Sequence, residues 1–230
     1  DGYLPGPIGK WNGEVYSVGL WDAAKAMTTR RSTLEKYGIR VPTLDSPWTG
    51  DEFNAALDTI TASGDFEYAL DLGMAWKGEW YPYAFSPFLQ SFGGDLIDRE
   101  TYLEAEGVLN GDEAIASGEW WQSIFERGLA PGTSQDSGDR ETGFIDGKYA
   151  LQWNGNWAAA TTLEGVEDVV FLPAPDLGVG NTIGAASWQF GVSSTCENPD
   201  GANAWIEFAL QDEYLAAFAS TTGLIPATPG

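Results

Sequence analysis

Short apolar runs alternate with capped, amphipathic segments along this chain, and that alternation directs it toward a layered α/β architecture. Thr49-Gly50-Asp51-Glu52 has the form of a capping box. Beyond it Phe53, Leu57 and Ile60 share one helical face, and Gly64 offers a left-handed stop. A second helix is predicted from Asn110, a cap with Glu113 three residues on, through Trp121, Ile124 and Phe125 to Gly128. Asn198-Pro199 opens a third, with Trp205, Phe208 and Ala209 on its apolar side, since proline suits the first helical position. A fourth is predicted over residues 212–221, with Gly223 closing it. Strand-like runs lie between, at 15–19, 68–72, 149–153, 169–172 and 189–193. The glycine-rich stretch 176–184 is expected to be a mobile loop.

Charge and composition remove whole classes of function. The chain carries 34 acidic against 11 basic residues, a net charge of −23, and such a surface repels phosphate backbones; nucleic acid is excluded as a partner. With no histidine, Ser-His and Cys-His nucleophiles, HExxH zinc sites and imidazole relays are all out of reach. Cys196 stands alone, so no intrachain disulfide or thiolate cluster forms, and it reads as a semi-buried filler. No run approaches the roughly 18–20 apolar residues of a membrane helix. The opening DGYLPGPIGKW has neither a basic nor an apolar leader region, so any export signal or lipid-anchoring cysteine is expected outside this stretch. Gly178, Gly180 and Gly184 have the wrong spacing for a phosphate cradle, and Asp136, Asp139 and Glu141 lack the calcium-loop pattern. No metal and no cofactor is expected.

The informative excess is aromatic. Of 11 tryptophans, Trp11, Trp21, Trp48, Trp76, Trp80, Trp157 and Trp188 fall at positions read as loops, while Trp121 and Trp205 read as core. A loop indole matches the apolar face of a pyranose, whose hydroxyls then bond to nearby Asp, Asn or Glu; such rings also serve as lids and interface anchors. A carbohydrate hydrolase using paired carboxylates is the rival reading, weakened because no acidic residue stands in a context marked as desolvated.

The stretch ETGFIDGKYALQWNGNW at 141–157 resembles a signature of the family 1 extracellular solute-binding proteins, to which maltose-binding protein belongs, with Phe144, Gly147, Lys148, Ala150, Gly155 and Trp157 in the family's places and Leu151 where Met is usual. The likeness continues through Leu172-Pro173-Ala174-Pro175, residues 184–193 and Thr222-Gly223-Leu224-Ile225-Pro226. Upstream, Trp11-Asn12-Gly13-Glu14-Val15-Tyr16 is similar to the strand leading into the family's hinge. Glu35-Lys36-Tyr37-Gly38-Ile39 with Pro42, and Ser91-Phe92-Gly93-Gly94, also match family segments. Met27-Thr28-Thr29-Arg30 departs from the Tyr-Tyr-Asn-type strand expected there.

This resemblance implies one α/β lobe, mainly the C-terminal lobe, of a two-lobed periplasmic-binding-protein type II fold, with partial segments of the second lobe. The implied division is 1–19 as hinge and N-terminal-lobe segment, 20–186 as C-terminal lobe, and 187–230 as helices of the N-terminal lobe. Because a full family member is markedly longer, the chain is expected to be a central fragment. The implied function is the sugar- or oligosaccharide-binding component of an ABC importer, a monomer outside the cell, lipid-anchored when full-length, delivering ligand to transmembrane permease subunits from a cleft that closes by hinge motion. It implies a binding protein and no catalytic residue. Expected ligand contacts are Trp157, Tyr83, and Trp21 with Asp22 near the hinge; Trp80 and Trp188 join them as loop aromatics, and Asn156 as a hydrogen-bonding partner.

Overall fold

The computed structural model describes residues 2–76, 78–132 and 139–228; Asp136, and the side chains of Asp139 and Glu141, lie outside the described set. In chain order the elements are β1 (Ile8–Trp11), β2 (Glu14–Gly19), β3 (Trp21–Arg30), α1 (Arg31–Lys36), α2 (Gly50–Ser63), β4 (Tyr68–Asp71), α3 (Trp80–Ser91), α4 (Asp112–Glu126) and α5 (Asp139–Ile145). They continue as β5 (Tyr149–Gly155), a 3-10 turn (Asn156–Ala158), α6 (Ala159–Gly165), β6 (Val169–Leu172), β7 (Ala185–Ala186), β8 (Gln189–Phe190), α7 (Pro199–Ala209), α8 (Asp212–Thr222) and β9 (Ile225–Pro226). The chain forms two compact units: unit 1 is Asp1–Ala24, Gly155–Ala160 and Ala185–Gly230, and unit 2 is Lys25–Asn154 and Thr161–Gly184.

Unit 2 is built on strands in the order β4-β5-β3-β6, with β4 and β5 parallel and β3 and β6 antiparallel. All seven residues of β5 are buried, as a strand covered on both faces requires. The Trp153 indole donates to Ala84 O (2.8 Å) and its ring lies 5.1 Å from Phe88, which fixes α3 against the sheet. The capping box of α2 forms as the sequence predicts: Glu52 N donates to Thr49 Oγ1 (3.2 Å), Thr49 N donates to the Glu52 carboxylate (3.0 Å), and Gly64 closes the helix at φ 71°. Phe53, Leu57 and Ile60 are fully buried, a contribution of roughly 1.5–3 kcal/mol per side chain.

One expectation is corrected here, and two positions gain a structural account. The N-cap of α4 is Gly111, because the Asn110 side chain accepts from Gly107 N instead and spends itself on the preceding turn. Residues 27–30 form a regular part of β3 despite their departure from the family pattern. Thr29 Oγ1 donates to Ala150 O (2.8 Å), and Arg30 donates to Phe144 O (2.9 Å) and Ile145 O (2.8 Å) at the end of α5. Trp48 lies on a loop, as read from the sequence, yet is 1% exposed and stacks on Phe53 at 6.0 Å.

Unit 1 holds the three-stranded sheet β1-β2-β8, and in it the first residues of β3 pair with β7 and β9. The segment read as a single strand at 11–16 is a hairpin. Asn12 (φ 49°) and Gly13 (φ 84°) form its two-residue turn, a geometry in which both positions require left-handed backbone. Asn198 caps α7 by accepting from Gly201 N (3.1 Å). Yet no residue of α7 is buried, and Trp205, predicted as core, is 52% exposed. The strand predicted at 189–193 is confined to Gln189–Phe190.

Candidate functional site

Where strands run parallel in an α/β sheet, ligands bind at their carboxyl ends. At those ends of β4 and β5, Asp71, Gln152 and Asn154 form a buried polar ladder: Gln152 Nε2 donates to Asp71 Oδ2 (3.2 Å), Asn154 Nδ2 donates to Gln152 Oε1 (3.4 Å), and Asp71 Oδ1 accepts from Gly73 N (2.8 Å). The loop that leaves β4 carries Trp76 and leads into α3, whose first turn supplies Trp80 and Tyr83. Trp76 meets Trp80 edge-on at 4.7 Å, and Tyr83 lies 6.1 Å from Trp80. Trp76 and Tyr83 are half-buried. Lys25 of β3, 3% exposed, sets its ammonium 3.3 Å from the centroid of the Trp80 ring and 4.6 Å from that of Tyr83.

Trp80 itself is only 4% exposed, and its indole donates to Leu72 O (3.3 Å). It opens a helix, where the sequence reading placed it on a loop for direct stacking. The correction is physical: with Trp76 on its edge and Lys25 on its face, Trp80 supports the half-buried rings around it.

In unit 1, Trp21 of β3 and Trp188 come together, ring centroids 6.5 Å apart and tilted by 35°; Trp188 is 65% exposed and does lie outside regular structure. Asp22 is half-buried, with Oδ1 accepting from Ala23 N (2.9 Å). Trp157 sits in the 3-10 turn, half-buried, with its ring over Gly155 so closely that a Cβ there would run into it. That close approach explains the glycine of the G-x-W pattern.

Asn156 is held by the backbone on both sides of its amide. Its Oδ1 accepts from Ala24 N (3.0 Å) and its Nδ2 donates to Gly223 O (2.8 Å), so this amide ties the turn to β3 and to the end of α8. Gly223, at φ 70°, serves both the stop of α8 and this bond. The expected contacts therefore gather as Trp21 with Trp188 in unit 1, and as Tyr83 with Trp80 in unit 2.

Sequence reasoning missed Lys25, the polar ladder, and the role of Trp76. Lys25 left one trace, a single charge inside the apolar run of β3. An apolar cleft of about 220 Å³ in unit 1, lined by Leu20, Trp205, Phe208, Ala209, Tyr214, Leu215 and Phe218, has almost no polar lining and does not suit a polyhydroxylated ligand. Among the described residues no group of three or more His, Cys, Asp or Glu is placed to hold a metal ion, and no helix is long and apolar enough to cross a membrane.

Residues 1–216 match the family model described as bacterial extracellular solute-binding protein, and the chain belongs to that family. It is 26% identical to an uncharacterized lipoprotein in the oleD 5′ region of Streptomyces antibioticus, over 96% of this chain and 50% of that protein. It is 24% identical to the maltodextrin-binding protein MdxE of Bacillus subtilis, over 74% of this chain and 43% of that protein. The GacH receptor of Streptomyces glaucescens, solved unliganded and with acarbose, superposes with a TM-score of 0.77 at 20% identity, covering 98% of this chain and 57% of that one. That likeness shows the α/β fold of the two-lobed binding-protein type. The chain spans about half the length of the relatives it matches.

Proposed function

We propose that this chain is part of the substrate-binding component of an ABC importer, and that it binds a sugar or oligosaccharide and passes it unchanged to transmembrane permease subunits. The observation that carries the reading is the aromatic platform of Trp76, Trp80 and Tyr83 beside the buried polar ladder, at the edge of the sheet where α/β proteins take ligands. Flat rings suit the C–H face of a pyranose, and fixed amides and carboxylates nearby suit its hydroxyls. In this reading Tyr83, Trp76, Trp157, Trp21 and Trp188 offer rings, and Asp22 accepts hydroxyls. Unit 2 is the core of the C-terminal lobe, and unit 1 holds segments of the N-terminal lobe. The protein works outside the cell as a monomer, lipid-anchored in its longer form, and needs no cofactor and no catalytic residue.

Family membership supports binding over catalysis, and a maltodextrin-binding relative makes oligosaccharides the first ligands to test. Titrating the chain with maltotriose and acarbose, followed by tryptophan fluorescence and calorimetry, is expected to saturate and to return the ligand intact. Release of reducing ends, abolished by a single Asp or Glu substitution, would overturn the proposal in favour of a hydrolase. Trp157→Ala is expected to weaken binding by about 1–3 kcal/mol at little cost in stability. Unchanged affinity with a stability loss of about 3–5 kcal/mol would assign the ring to the core.

A further inference from the structure

We infer that Lys25 is a positioning residue of the unit 2 platform: its buried ammonium, seated on the Trp80 ring, sets the orientation in which Trp76 and Tyr83 meet a sugar, without touching the sugar itself. The inference rests on the reading of that platform as a sugar-binding surface.

Burying a lysine costs desolvation free energy, and few lysines are fully buried. Lys25 is 3% exposed in the middle of β3, and its Nζ lies 3.3 Å from the Trp80 centroid, 4.6 Å from Tyr83 and 5.6 Å from Trp153. All three rings fall within the ~6 Å range over which a cation is drawn to an aromatic face; indole attracts it most, and desolvation strengthens the attraction. Trp80 is also held by Trp76 edge-on at 4.7 Å, by Tyr83 at 6.1 Å, by Phe85 edge-on at 6.4 Å and by the indole bond to Leu72 O. A tilt of Trp80 therefore displaces half-buried Trp76 and Tyr83, while Trp80, 4% exposed, offers no face of its own to a ligand. Lys25→Met keeps the length of the side chain and removes the cation. Lys25→Arg keeps a cation able to stack on the ring.

The test uses the full chain labelled with 5-fluorotryptophan, with Trp80 and Trp76 fluorine resonances assigned through Trp80→Phe and Trp76→Phe. Lys25→Met is expected to move both resonances by more than a linewidth and to leave Trp205 in place, and Lys25→Arg is expected to restore them. In calorimetry with maltotriose, Lys25→Met is expected to bind at least about tenfold more weakly, with Lys25→Arg close to the unsubstituted chain. Unmoved Trp80 and Trp76 resonances in folded Lys25→Met would overturn the inference, as would moved resonances with unchanged maltotriose affinity. If the unsubstituted chain binds neither maltotriose nor acarbose, the sugar-binding reading falls by itself, and the fluorine shifts decide whether Lys25 orients the rings. Should Lys25→Met not fold, the unsubstituted chain still decides. The ε-methylene protons of Lys25 are expected upfield of those of the other lysines, because they lie under the Trp80 ring current, and finding them unshifted would overturn the placement.

Discussion

Unit 2 buries several of its large aromatic side chains and exposes Tyr102 and Phe171, whereas unit 1 displays most of its own. Trp48, Phe53, Phe88, Phe144, Tyr149 and Trp153 are each exposed by 2% or less within unit 2, while Trp11, Tyr16, Trp188, Trp205 and Phe208 of unit 1 are at least half exposed. Charge divides the same way. The four ion pairs found among the described residues, Lys36–Asp65, Arg40–Glu52, Arg99–Asp95 and Arg127–Asp58, all lie in unit 2. Lys10 is the single basic residue in the ranges of unit 1, against eight carboxylates. Apolar burial stabilises in proportion to the area removed from water, so the aromatic side chains of unit 2 contribute to folding and those on α7 contribute little. In unit 1 more of the order rests on hydrogen bonds, such as the Asn156 bridge and the backbone bonds from Leu4 N to Ala227 O and from Ala227 N to Leu20 O.

The comparison is tested most severely by truncating one aromatic ring in each unit. Phe53→Ala is expected to lower the unfolding free energy by about 3–5 kcal/mol, because a fully buried ring leaves a cavity. Trp205→Ala removes a larger ring and is expected to cost less than ~1 kcal/mol, within the range of surface substitutions. Urea unfolding of the two variants measures both, and equal losses would break the contrast.

Next in size is the Asn156 bridge. Two neutral hydrogen bonds at roughly 0.5–1.5 kcal/mol each put Asn156→Ala at about 1–3 kcal/mol. Asn156→Asp keeps an acceptor for Ala24 N and loses the donor to Gly223 O, so it separates the two halves of the bridge. Urea midpoints that match the unsubstituted chain for both variants would show that unit 1 is held by something else.

How much of this division was legible in the sequence depended on whether its cause was local. Caps and stops were: Thr49 with Glu52, Asn198, Gly64 and Gly223 each act within a few residues, and each does in the structure what the sequence predicts. Helix α3 was not, since it has no side-chain cap and carries Pro87 inside it, where the Pro87 carbonyl accepts from Thr182 Oγ1, far along the chain. Strand β3 was missed as a whole because its partners β5, β6, β7 and β9 all come from beyond residue 148. For the site, composition pointed to tryptophan and stopped there. Whether an indole is sealed like Trp48 and Trp80 or displayed like Trp188 and Trp205 is settled by elements distant in sequence, and the same is true of the role of Lys25.

The smallest expected effect comes from acid, and it acts on unit 2. Glu52 is held at about 2, below its ordinary 4.5, first by the hydrogen bond from Arg40 and then by the Thr49 backbone N–H. Asp95 is held at about 2 by Arg99. A carboxyl whose folded value is depressed stabilises the fold above its unfolded value, near 4.3 for Glu, and that contribution disappears as the pH falls toward the folded value. Between about pH 4.5 and 2, protonating Glu52 therefore weakens both the capping box of α2 and the Arg40 bridge, which also ties down Ser46 O and Pro47 O. Both partners are largely exposed, so the change is small. Amide hydrogen exchange, corrected for intrinsic rates, is expected to show protection in α2 declining across this window, while α7, which has no ion pair among its described residues, declines less. Glu52→Gln removes the titrating group and is expected to flatten the α2 profile at some loss of protection at neutral pH. A profile in Glu52→Gln that still falls like that of the unsubstituted chain would move the acid sensitivity of unit 2 from Glu52 to two other paired carboxylates whose folded values are also lowered, Asp65 by Lys36 and Asp95 by Arg99.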